Sequence, residues 1–250
     1  MILNYKALHS EELRSLIPIQ PRRRGNQGTK KKRHYKDIIC AFDIETSRLD
    51  DKHSIMYIWQ FQLGLHGDTI IGRSWKECMR WFRTLAESCN DNEYYVIYVH
   101  NLSFEFQFLP GQYHFTNEEV FAVESRKILK CDMFDHLEFR CSYLHSNMSL
   151  KEYLRKMGVE DQKQENFDYD LKRYPWTPLS DEELTYCIND VKGLVEALAV
   201  EMKHDDDNLY TIPLTSTGYV RRDVKAAMRR INHLYVKDQL PDWDTYTLLR

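Results

Sequence analysis

The chain has 250 residues, 42% of them hydrophobic and 13% aromatic, enough for one sizeable core with attachments or for two small ones. Its 35 basic and 38 acidic residues leave a formal net charge of −3, so overall charge gives no argument for a polyanionic partner. No run approaches the roughly 18 apolar residues of a membrane-spanning helix, and the six cysteines include no Cys-x-x-Cys pair, which argues against a zinc site. Without a signal peptide the thiols are expected to be reduced and the protein cytoplasmic.

Residues 1–36 open with a short helix expected from Ser10 to Leu16 and pass into a basic run, Arg22 to Lys36, without an acidic residue; the segment reads as an extension outside the core. Ile38 to Ile44 has the apolar density of a buried strand. A second strand is expected from Ile55 to Leu65, a turn at Gly67-Asp68, and a third strand from Thr69 to Gly72. Trp75, Cys78, Met79, Phe82 and Leu85 recur at helical spacing, and Tyr94 to Val99 is a strand rich in aromatic and β-branched residues. Val120 to Leu144 suggests short strands, and Ser149 to Met157 a helix closed by Gly158. The clearest helix starts at Ser180, which forms a capping box with Glu183, and ends near Asp205. A basic helix over about 217–231 follows. This is a mixed α/β order, divided into 1–36, 37–205 and 206–250.

Three acidic stretches carry the chemistry. Asp43 and Glu45 are two apart at the end of an apolar strand, so both side chains leave one face of the sheet. Glu105 follows another apolar strand by six residues, on the first turn of a helix, with His100, Asn101 and Phe104 before it. Phe104 offers a ring for base stacking or a plain core contact. Tyr186 and Asp190 stand four apart on the best-defined helix, which puts phenol and carboxylate on one face. Four carboxylates and a phenol can hold two divalent cations over a phosphodiester and orient a water against it. Lys163, in a polar stretch before Asp168-Tyr169, could stabilise charge on the phosphate or could be a solvated surface lysine.

With these residues the chain resembles the N-terminal proofreading exonuclease domain of family B DNA polymerases, most closely the protein-primed branch of small phages and linear plasmids. The motifs are Phe42-Asp-Ile-Glu-Thr46, His100-Asn101 to Phe104-Glu105, and Tyr186 to Asp190. The resemblance covers about 37–204 and implies a ribonuclease H-like fold with a DEDD-type site bearing tyrosine. It implies Asp43, Glu45, Glu105 and Asp190 as ligands of two Mg2+ or Mn2+ ions, Tyr186 as the phenol that orients water, and Lys163 as the catalytic lysine. It also implies that Thr46, His100, Asn101 and Phe104 hold a single-stranded 3′ end. Cys141-Ser142-Tyr143-Leu144 is similar to the branch's Ser-Leu motif, so Ser142 and Leu144 are expected to touch single-stranded DNA, although Tyr143 stands where leucine is usual. Glu105 departs from the aspartate usual at its position. The polymerase motifs are absent.

The expectation is therefore a 3′–5′ exonuclease acting in viral DNA replication, with a polymerase domain or subunit and a terminal protein as candidate partners and no membrane partner. A binding module weakened by Glu105 and a DEDD-type ribonuclease are the alternatives.

Overall fold

The computed structural model describes residues 2–21, 33–159 and 171–230. In chain order these form β1 (Ile2–Asn4), α1 (Ser10–Leu16), β2 (His34–Arg48), β3 (Ser54–Leu63), β4 (Thr69–Gly72), α2 (Trp75–Glu87), β5 (Glu93–Val99), α3 (Leu102–Glu105), β6 (Val120–Glu124), β7 (Lys127–Met133), β8 (Leu137–Cys141), α4 (Ser142–Ser146), α5 (Leu150–Met157), α6 (Asp181–His204) and α7 (Ser216–Arg230). The eight strands make one sheet in the order β1-β4-β3-β2-β5-β8-β7-β6. β4, β3 and β2 run antiparallel, whereas β5 and β8 lie parallel to β2. This is the mixed α/β arrangement expected from the sequence, widened by β1 at one edge and by β7 and β6 at the other.

The period of two along β2 sorts its side chains. Phe42 and Ile44 point into a core that also holds Trp59, Phe61, Trp81, Phe82 and Phe139. Edge-on ring pairs, Phe42 with Phe82 and Phe61 with Trp81, fill this side beneath α2. Ala41 faces the other way, into a second core built with Val96, Tyr98 and the apolar stripe Val191, Leu194, Val195 and Leu198 of α6. Asp43 and Glu45 lie on this α6 side. α6 is fixed at its start by the Ser180–Glu183 capping box and stops at Asp205, as read from the sequence. α5 has its own capping box, Ser149 with Glu152, and Gly158 closes it at φ +70°.

Three expectations change. Residues 2–20 do not stand outside the core: β1 adds to the sheet beside β4, and Tyr5, Leu13 and Ile17 are buried under the α2 layer. A three-residue strand and one turn of apolar spacing are too short to be legible as core. Residues 206–214 also belong to the first body, because Leu209 and Ile212 join the α6 core. Finally, Ser142 to Leu144 is not strand: parallel pairing of β8 with β5 ends at Val99↔Cys141, and the chain turns directly into α4. The described residues up to Leu214 form one compact unit and those from Thr215 onward another, which contains the basic α7. Most of the basic run, 22–32, lies outside the described residues.

Candidate metal centre

Pairing between β2 and β5 ends at Ala41↔Tyr98, so Asp43 and Glu45 occupy the stretch where β2 continues alone beside β3. The β2–β3 register shifts between Glu45 and Thr46, a bulge that marks the end of this regular stretch. α6 crosses the same face and brings Asp190, so that Asp43, Glu45 and Asp190 each offer an oxygen within 4.8 Å of the others. All three are half-buried. Opposite Asp43 in the β3 register stands Gln60, fully buried, whose Nε2 donates to Asp43 Oδ2 at 2.6 Å. Three carboxylates this close repel one another when ionised, and an all-oxygen donor set of this kind suits a hard divalent cation.

Glu105, the last residue of the one-turn helix α3, is 1% exposed. Burial first, then the Asp43 carboxylate beside it, push its carboxyl well above the usual carboxylate range. Its Oε2 has no hydrogen-bond partner although it is buried. A buried carboxylate oxygen left without a donor is what a cation at this position would satisfy, so the residues fit a metal centre. The structure thus brings Glu105 to Asp43, while the mutually close oxygens are those of Asp43, Glu45 and Asp190.

One turn before Asp190, Tyr186 is buried with Tyr57, Ile58 and Cys187. The Cys187 thiol is pushed up by burial and then by the nearby Glu45, Asp43 and Asp190. Burial and then Glu45 do the same to the Tyr57 phenol. Arg73 and Arg173 brace this wall. Arg73 Nε donates to the Tyr57 carbonyl at 2.6 Å, and Arg173 Nε donates to Glu183 Oε1 at 2.6 Å on the first turn of α6. Sequence reading did not single out Gln60, Tyr57 or Arg73. A glutamine amid the apolar run of β3 was the available signal, but its partner follows only from the strand register.

The residues expected to hold a nucleic-acid end divide into two groups. Thr46 is half-buried at the bulge, Asn101 is exposed in a left-handed conformation (φ +69°) at the entry to α3, and Phe104 is 37% exposed with its ring edge-on to Phe108 at 5.6 Å. Phe104 is therefore a surface ring rather than a core one. His100, by contrast, turns its Nδ1 to Ser142 Oγ at 3.0 Å, and Ser142 is fully buried, donating also to the Val99 carbonyl at 3.3 Å. Ser142 thus faces the protein, and Leu144 packs half-buried against the core; Tyr143 between them is 40% exposed, edge-on to His100. α4 starts where a strand was expected, with the Ser142 hydroxyl turned inward at its first residue. Lys163 lies outside the described residues.

No family model matches the sequence, and no curated protein matches it. Solved structures do match in shape. Phi29 DNA polymerase bound to primer-template DNA and incoming nucleotides is similar at a TM-score of 0.58 and 17% identity, over 69% of this chain and 32% of the polymerase. Its complex with single-stranded DNA matches at 0.57 and 16%, and its orthorhombic crystal form at 0.58 and 16%, over 69% and 74% of this chain. Over this region the chain has the phi29 polymerase fold. The chain spans about a third of the length of those polymerases. Among the described residues no helix is long and apolar enough to cross a membrane.

Proposed function

We propose that the chain is a metal-dependent 3′–5′ exonuclease that removes nucleotides from single-stranded DNA ends, in the manner of the proofreading part of a protein-primed viral polymerase. The observation that carries this reading is the convergence of Asp43, Glu45 and Asp190 on one point of the sheet, with Glu105 buried against Asp43. Asp43, Glu45, Asp190 and Glu105 would hold two Mg2+ or Mn2+ ions. Such ions, when bound, neutralise the scissile phosphate and lower the pKa of an attacking water. Tyr186 is assigned to orient that water, supported by its position one helical turn before Asp190. Lys163 is assigned to charge stabilisation at the phosphate. Thr46, Asn101 and Phe104 hold the terminal nucleotides, while His100 and Ser142 fix the backbone at the ends of β5 and β8 from within. A frayed end, whose bases are free to stack, is preferred over a paired one. A polymerase domain and a terminal protein are the proposed partners in replication, in the cytoplasm of a host cell.

The test uses 5′-labelled DNA and RNA oligonucleotides of one sequence with Mg2+ or Mn2+. The expected product is a ladder that shortens from the 3′ end of the DNA, faster for a mismatched end than for a paired one. Binding without cleavage at every Mn2+ concentration would make the chain a binding module. Faster digestion of RNA would make it a ribonuclease.

A further inference from the structure

Trp176 is 76% exposed, the highest value among the exposed large hydrophobic side chains of the described residues. Its indole lies on the Tyr174 ring, 5.1 Å between centroids and 6° between planes, so the two rings form a flat double layer. The backbone beneath them is stapled in place. Arg73 Nη2 donates to the carbonyls of Tyr174 and Thr177 at 2.9 and 2.7 Å, and Thr177 N and Tyr174 N close the turn on each other's residue. An indole held out in water on a fixed turn forgoes the burial that drives most tryptophans inward; Trp59 and Trp81 are fully buried.

The turn is also tied to the carboxylates. Arg73 joins it to the carbonyl of Tyr57, whose ring borders Glu45, and the Arg173 N–H donates to Ser47 Oγ at 2.8 Å, two residues beyond Glu45 on β2. Two strand residues, a hydrogen bond through the Ser47 side chain and three further residues put the Trp176 backbone within about 25 Å of Glu45.

Resting on the nuclease reading above, we propose that Trp176, backed by Tyr174, is a stacking platform for an unpaired base of the strand whose end lies in the metal centre. Stacking of this kind accepts every base, because each has a π-face, and suits an enzyme that degrades ends regardless of sequence. A double layer held flat before the strand arrives loses little freedom on binding.

The experiment compares the full chain with W176A and W176F on two substrates: a single-stranded thymidine oligonucleotide, and the p-nitrophenyl ester of thymidine 5′-monophosphate, which reaches only the metal centre. W176A is expected to raise KM for the oligonucleotide roughly five- to a hundredfold and to leave hydrolysis of the ester unchanged, with W176F close to wild type. An unchanged oligonucleotide KM in W176A would overturn the proposal and leave the rings as a contact for another protein. A parallel loss on both substrates would overturn it too, as the turn would then be shaping the metal centre. A wild type that cleaves neither substrate removes the nuclease reading; W176A must then still weaken oligonucleotide binding measured by fluorescence anisotropy, or the platform falls with it.

Discussion

Exchange of Asp43 for asparagine is expected to lower 3′-terminal hydrolysis about a thousandfold, equivalent to about 4 kcal/mol of transition-state stabilisation. Asparagine keeps the size of the side chain and can still accept the Gln60 Nε2 hydrogen bond, but it loses the charge and puts an NH2 donor where the second oxygen stood. It removes one of three oxygens within 4.8 Å of each other and the carboxylate against which Glu105 is buried. Because like charges are relieved, the variant is expected to melt at or above the wild-type temperature in the presence of a chelator. Mn2+ should raise the melting temperature of the wild type and not that of the variant, since a ligand stabilises only the folded state that binds it. Terminal release followed on a labelled oligonucleotide, beside melts with and without Mn2+, checks both halves. A variant that digests at the wild-type rate would remove Asp43 from the centre.

A second large effect falls on stability rather than chemistry. Glu138 on β8 is 3% exposed and accepts from Arg140 Nε and Nη2 at 2.7 Å and from Arg33 and Tyr35, with Lys130 at 3.6 Å. Arg140, equally buried, also donates to the Leu209 carbonyl at 2.9 Å, so the network joins β8 to the segment after α6. Burial alone would raise the Glu138 carboxyl, but Arg140, Lys130 and Arg33 outweigh it and hold it at about 2. Glu138→Gln leaves the buried Arg140 cation without its counter-charge and is expected to cost about 3–5 kcal/mol, on the order of 10 °C in melting temperature. The sign with pH follows from the lowered value. The ionised glutamate contributes stability in full above its ordinary pKa near 4.3, and that contribution is lost as pH falls toward about 2. Urea unfolding at pH 7, 4 and 3 should show wild type and variant converging as the pH drops; a constant gap would contradict the account.

What was legible in the sequence was whatever rests on local spacing. The capping boxes at Ser149 and Ser180, the stop at Gly158, and the Asp43–Glu45 alternation all depend on neighbours within four residues, and each stands where spacing puts it. What was not legible depends on partners far away in the chain. Gln60 matters because β3 pairs with β2 in one register. Tyr5 and Leu13 are core because β1 finds β4, some 65 residues on, and no pattern in three residues announces that. Ser142 opens α4 because β8 ends at Cys141, three residues before the expected end at Leu144. An isolated tryptophan is usually core, and only its exposed stacking on Tyr174 distinguishes Trp176.

The central claim is that acids from three separate stretches gather to hold divalent cations. Crystals soaked in Mn2+ and measured at the manganese absorption edge test it most directly. The account predicts anomalous peaks bounded by Asp43, Glu45 and Asp190, with Glu105 turned to the same density. Ordered Mn2+ elsewhere on the surface, with these four side chains free of it at saturating metal, would contradict it.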